Sequence, residues 1–140
     1  MTRVCLDTNV LVAAFVARGL CADLLALVLS EFDLVVPEVV AEELRRVLSN
    51  KFKASSEALA AVEAVLDRCE VIPRTKSPSP VSVRDPDDER VLAAATQGKA
   101  DFLVTGDDDL LSVAQDSPVR ILSPRAFMTL VRGMSENRDG

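Results

Sequence analysis

Residues 4–14 read VCLDTNVLVAA: three apolar residues, an acid, two small polar residues, and a second apolar run. Val4 to Leu6 suits a short buried strand that stops at Asp7. Asn9 to Ala17 then reads as a helix, which Thr8 or Asn9 can cap. The stretch therefore opens a strand-to-helix unit and leaves one carboxylate at the junction.

The alternation continues along the chain. Gly19 breaks the first helix, and Cys21 to Leu29 reads as a second. Leu34 to Val36 is a strand closed by Pro37, which is placed to open a helix over Glu38 to Leu48. Ser56 to Cys69 is helical in composition, and Val71-Ile72 is a short strand. Thr75 to Ser82, with Pro78 and Pro80, is the clear loop. Pro86 to about Gln97 is a helix ended by Gly98. Phe102 to Thr105 and Val119 to Leu122 are strands flanking a short helix from Leu110 to Ala114. Ser123-Pro124 opens a last helix, Arg125 to Arg132. Short Val/Leu/Ile strands between helices predict an α/β layer fold with a mainly parallel sheet. The 140 residues suit one domain, 1–132, with 133–140 as a flexible polar tail.

Composition narrows the function classes. A hydrophobic content of 49% supports a packed core. A net charge of -6 excludes a basic nucleic-acid coat, but not an enzyme that meets a polyanion through metal ions. The apolar runs are broken too often for a membrane span, and the N-terminus lacks a signal-peptide layout, so a cytoplasmic protein is expected. Cys5, Cys21 and Cys69 form no CxxC pair, and read as small buried hydrophobes rather than a disulfide framework. With no histidine, a zinc site is disfavoured.

The acids carry the chemistry. Asp7 and Asp107 each lie past a strand end, where open parallel sheets bind ligands. Asp7 also suits a turn or helix cap. Glu43 falls inside the apolar stripe of Val39, Val40, Leu44, Val47 and Leu48. A carboxylate there costs several kcal/mol unless a cation or a buried Arg or Lys pairs with it. Glu42 falls on the wetter face. In Asp85-Pro86-Asp87-Asp88-Glu89, Asp85 is a helix cap and the following acids suit the helix dipole. Asp88 shares a stripe with Val91, Leu92 and Ala95, but Asp87 also leads to Val91 and Ala94, so spacing does not choose between them. Among Asp107, Asp108 and Asp109, one caps the helix from Leu110, and Asp107 is nearest the strand end. Glu42, Asp85, Glu89 and Asp109 are assigned to surface, cap and dipole.

Converging carboxylates without Lys or His make a hard oxygen site, suited to one or two Mg²⁺ or Mn²⁺ ions. The matching reaction is attack of metal-activated water on a phosphodiester. The absence of His excludes an imidazole-based ribonuclease, and no GxxxxGK[ST] phosphate loop is present.

The segments LDTNVLVAA (6–14), EELRRVL (42–48), DPDDERVLAAA (85–95), DFLVTGDDDLL (101–111) and ILSPRAF (121–127) resemble the PIN-domain family, in particular its VapC-like toxin branch. The resemblance runs to about residue 130. It implies a five-stranded parallel sheet between helices, in a three-layer α/β/α sandwich, and a Mg²⁺- or Mn²⁺-dependent ribonuclease. The family's acidic quartet carries over onto Asp7, Glu43, Asp88 and Asp107, with Asp85 and Asp87 as alternatives for the third acid. Thr105 matches a hydroxyl position that orients the site, and Asn9 a polar position near the first Asp. The resemblance further implies an RNA substrate, a homodimer and a small antitoxin. Arg18, Arg45, Arg46, Lys51, Lys53, Arg74 and Lys76 could meet RNA phosphates, but none is assigned to that contact.

Two other classes fit the acids. One is a DNA or flap nuclease, or another metal phosphohydrolase; a haloacid-dehalogenase-type phosphatase would need a second Asp where the chain has Asn9. The other is a PIN-like protein-binding module whose acids serve only as caps and solubilising charge.

Overall fold

The computed structural model describes the backbone of residues 1–139 and the side chains of residues 1–134. Five short strands form the sheet: β1 (Arg3–Leu6), β2 (Asp33–Pro37), β3 (Glu70–Ile72), β4 (Phe102–Val104) and β5 (Arg120–Leu122). Among the described residues, seven α-helices surround it: α1 (Thr8–Val16), α2 (Leu20–Glu31), α3 (Glu38–Asn50), α4 (Ser56–Asp67), α5 (Pro86–Gln97), α6 (Asp108–Leu111) and α7 (Pro124–Asp139). All strand pairs are parallel, in the order β3-β2-β1-β4-β5. The expected α/β/α sandwich with a five-stranded parallel sheet is thus the observed fold.

The strand order positions the site. From β1 the chain moves outward through β2 to β3, then crosses to β4 on the other side of β1 and continues to β5. Right-handed crossovers put α1 to α4 on one face of the sheet, and α5 and α6 on the other. Side-chain alternation in β2 agrees: Leu34 and Val36 join the large core, while Val35 packs with Ile72 and Ala94 of α5. The reversal between β1 and β4 opens a crevice at the strands' carboxyl ends, where parallel α/β sheets hold ligands. The backbone closes it tightly: the Asp7 N–H donates to the Val104 carbonyl at 3.0 Å.

The strands are buried because both faces are covered. Val4, Cys5, Leu6, Leu103 and Val104 are each 0% exposed. Phe127 of α7 closes the core, edge-on to Phe32 and Phe102 at centroid distances of 5.9 and 5.7 Å. No single helix among the described residues is long and apolar enough to cross a membrane.

Several boundaries differ from expectation. Asp7, not Thr8 or Asn9, caps α1 through the Thr8 N–H. The short helix begins at Asp108 rather than Leu110, because Asp107 caps it, and a 3₁₀ turn follows at Ala114–Asp116. The last helix extends past Arg132 to Asp139; Gly140 of the expected tail and the side chains beyond Met134 lie outside the described residues. Gly98 closes α5 at an ordinary φ of -76°, and Lys99 takes the left-handed conformation, φ 56°. Gly98 is needed for space: a Cβ there would sit 2.7 Å from Ile72 Cδ1. Its carbonyl accepts from Arg3 Nε at 2.9 Å and Nη2 at 2.7 Å.

Candidate metal centre

Asp7 is placed by β1 and held by the end of β4. It is 4% exposed. Its Oδ1 accepts from the Thr8 N–H at 2.8 Å, and its Oδ2 accepts from the Thr105 hydroxyl at 2.7 Å and Asn9 Nδ2 at 3.1 Å. Asn9 Oδ1 accepts from the Gly106 N–H at 2.8 Å, and Thr105 Oγ1 accepts from the Asp107 N–H at 3.0 Å. The two loops past β1 and β4 are therefore stitched together through Asn9 and Thr105, with Asp7 at the centre.

The other acids arrive from three elements. Glu43 lies half-buried on the flank of α3, beside Val39 and Val47, and makes no ion pair among the described residues. Glu42, one position back, is exposed and pairs with Arg74 at 2.5 Å, as its wetter face implies. The three acids at the start of α5 differ in burial. Asp88 is 8% exposed. Asp87 points outward to Arg90 at 2.7 Å, and Asp85 caps the helix through the Asp87 N–H at 2.9 Å. Asp107 caps α6 through the Asp109 N–H at 2.8 Å.

Asp7, Glu43, Asp88 and Asp107 all line one cleft of about 540 Å³. Asp85 and Asp87 line it as well, together with the apolar side chains of Val12, Val16, Val47 and Phe52. A smaller cavity of about 360 Å³ lies beneath the 73–85 loop. Its acids are already engaged, Glu38 by Arg74 and Glu89 by the Val83 N–H, so it gathers no comparable charge.

Crowded carboxylates disfavour one another's charge. Burial, then the charges of Asp107 and Asp7, push Asp88 up to about 7. Burial also raises Asp7, opposed by the Thr105 hydroxyl and the Thr8 N–H and reinforced by Asp107. Burial and the charge of Asp7 raise Glu43, with Arg46 offsetting part of the effect.

The residues fit a hard divalent cation. Two buried side-chain polar atoms lack a hydrogen-bond partner among the described residues, Thr8 Oγ1 and Asp88 Oδ2, and both residues line this cleft. An orphaned buried carboxylate oxygen carries a desolvation cost that a bound cation removes. The structure adds a neighbour set for Asp109. Asp109 is not only a cap-region acid: carboxylate oxygens of Asp85, Asp88 and Asp109 lie within 4.8 Å of one another. Glu89 likewise pins the loop before α5 through Val83 at 2.8 Å rather than serving only the helix dipole. No local sequence signal marks Asp109, because its partners arrive from α5 across the crevice.

The model of the PIN domain family matches residues 3–109. Among solved structures, VapBC2 from Rickettsia felis, bound to a DNA fragment from their promoter, is similar with a TM-score of 0.64 at 16% identity, covering 87% of this chain and 98% of that one. FitAB bound to an IR36 DNA fragment is similar with a TM-score of 0.62 at 16% identity, covering 86% and 94%. The PIN domain endonuclease Utp24 gives a TM-score of 0.53 at 19% identity, covering 86% and 84%. At these identities the likeness establishes a shared fold. Among curated proteins, none matches the chain in sequence.

Proposed function

The chain belongs to the PIN-domain family, a family of nucleases, and from that premise we propose that it is a Mg²⁺- or Mn²⁺-dependent endoribonuclease acting as the toxin of a toxin–antitoxin pair. The observation that carries this reading is Asp88: a buried carboxylate with one unpartnered oxygen, in a cleft it shares with Asp7, Glu43 and Asp107.

In this reading Asp7, Glu43, Asp88 and Asp107 hold the cation, with Asp85 and Asp109 near enough to Asp88 to complete its oxygen set. When bound, the cation supplies an activated water and neutralises charge on the scissile phosphate. Asn9 and Thr105 orient Asp7, leaving its carboxylate little freedom to rotate away. Asp88 carries a proton near neutral pH when no cation is present and loses it to bind one. The working unit is one domain over residues 1–132, a homodimer in the cytoplasm, held in check by a small antitoxin.

The test is cleavage of single-stranded RNA by the purified protein with Mg²⁺ or Mn²⁺, its loss in EDTA, and its loss in Asp7→Asn with the fold retained. Cleavage that persists in Asp7→Asn would falsify the site. Cleavage of flap DNA or small phosphoesters in preference to RNA would reassign the substrate. No cleavage and no Mn²⁺-linked rise in melting temperature would leave a non-catalytic binding module.

A further inference from the structure

Among the described residues, the exposed large apolar side chains are Met1, Val16, Leu20, Phe52, Val71 and Met134. Phe52 is the one aromatic among them, 43% exposed, and it lines the acidic cleft together with Val16. The exposed ring therefore offers an open aromatic face in the same cleft as the carboxylates. Lys51, its neighbour, is the sole Lys or Arg lining the cleft among the described residues, and its Nζ lies 5.7 Å from the centroid of the Phe52 ring.

The backbone presents this pair in a fixed way. The Lys51 N–H donates to the Val47 carbonyl at 2.9 Å, ending α3. The Ala54 N–H then reaches back six residues to the Leu48 carbonyl at 2.9 Å, and Lys53 takes a left-handed φ of 52°. Lys53 thus takes the left-handed conformation, where glycine is the usual choice. It turns the chain sharply just after Phe52, so the ring is anchored at a helix end rather than carried on a mobile loop.

We infer that Phe52 and Lys51 form the substrate-positioning wall of the cleft: the Phe52 ring stacks on one unpaired nucleobase of single-stranded RNA, and the Lys51 ammonium meets an adjoining phosphate. The inference rests on the ribonuclease reading and names its substrate form. The carboxylates would hold the scissile phosphate through a bound cation, and Phe52 and Lys51, lining the same cleft, would take a base and a phosphate beside it. Ring stacking tolerates any base, because every base has a π-face. A duplex cannot use it, because its base faces are covered by their neighbours. The wall thus selects unpaired RNA without specifying sequence.

The chain contains no Trp and no Tyr, so Phe52→Trp introduces a single indole at the wall. Titration of that variant with a single-stranded RNA decamer, in Mn²⁺ and carrying Asp7→Asn to prevent turnover, should quench its fluorescence. The same sequence as a duplex should not. On an otherwise wild-type background, Phe52→Ala should raise KM for the decamer about tenfold with kcat within about twofold, and Phe52→Tyr should restore it. Lys51→Ala should reduce the salt dependence of KM. An unchanged KM in Phe52→Ala, or quenching by duplex equal to that by single strand, overturns the inference while RNA cleavage by the wild type leaves the ribonuclease reading standing. Loss of self-association in Phe52→Ala, with KM unchanged, assigns the ring to a protein contact and likewise overturns it. If the wild type cleaves no RNA, the ribonuclease reading fails and takes the inference with it.

Discussion

The Thr105 hydroxyl donates to Asp7 Oδ2 at 2.7 Å, joining the ends of β1 and β4 across 98 positions of sequence. Thr105 is 0% exposed, so no water replaces that bond when it is lost.

Thr105→Val removes the donor to Asp7 and the acceptor for the Asp107 N–H while keeping the side-chain shape. It should destabilise the protein by about 1–3 kcal/mol, the cost of leaving buried polar groups unpaired. It should also weaken metal-dependent activity about 10- to 100-fold through misorientation of Asp7. Thr105→Ser should retain most of both. Urea unfolding and Mn²⁺ titration of the pair check this, and equal behaviour of the Val and Ser variants would refute it.

Asp88 sets a pH dependence for the metal-free protein. Its folded pKa is pushed from 3.8 up to about 7, so the folded state binds the proton more tightly than the unfolded chain. The contribution to stability is complete below about pH 4 and is lost as pH rises through 7, at up to about 1.4 kcal/mol per pH unit between those values. Urea midpoints in EDTA at pH 5, 6, 7 and 8 should therefore fall with rising pH. Saturating Mn²⁺ should flatten that slope, as should Asp88→Asn. Equal pH slopes for wild type and Asp88→Asn would exclude Asp88 as the cause.

Asp109 and Asp108 are adjacent but differ in surroundings. Asp109 shares a carboxylate cluster with Asp85 and Asp88, whereas Asp108 is exposed. Asp109→Asn should weaken Mn²⁺ binding about tenfold or more, and Asp108→Asn by less than about twofold. Calorimetric titration with Mn²⁺ distinguishes them, and indistinguishable affinities would return Asp109 to a surface role.

The two helix ends respond to glycine in opposite ways. Lys53→Gly relieves a left-handed residue at φ 52° and should stabilise by about 0.5–1 kcal/mol. Gly98→Ala places a Cβ 2.7 Å from the buried Ile72 side chain and should destabilise by about 1–3 kcal/mol. Thermal melts of both variants read the signs directly, and a stabilising Gly98→Ala would show that Ile72 moves freely.

Much of the molecule was legible one residue at a time. The strands show as short Val/Leu runs, and α3 shows as a stripe that sets Glu43 toward the cleft and Glu42 toward Arg74. Asp85 before Pro86 reads as a cap and is one. These features arise within one or two turns of chain, where periodicity, capping and backbone restriction act. Other features needed partners that local rules do not reach. Asp88 rather than Asp87 became the inward acid because of how α5 lies against the crevice, since both positions satisfy the same helical spacing.

The sequence by itself determined the element order, the parallel α/β class and the acids placed at strand ends. The tertiary structure decided which acids meet. Asp109 comes near Asp85 and Asp88, and Phe52 lines the same cleft as Asp7, Glu43, Asp88 and Asp107, only because the chain crosses from β3 over to β4 and brings the end of α3, the start of α5 and the loop after β4 together. Local propensity sets what each segment becomes. Convergence of charges far apart in sequence depends on the path of the whole chain, and burial there raises the pKa of Asp88 and leaves its Oδ2 without a hydrogen-bond partner among the described residues.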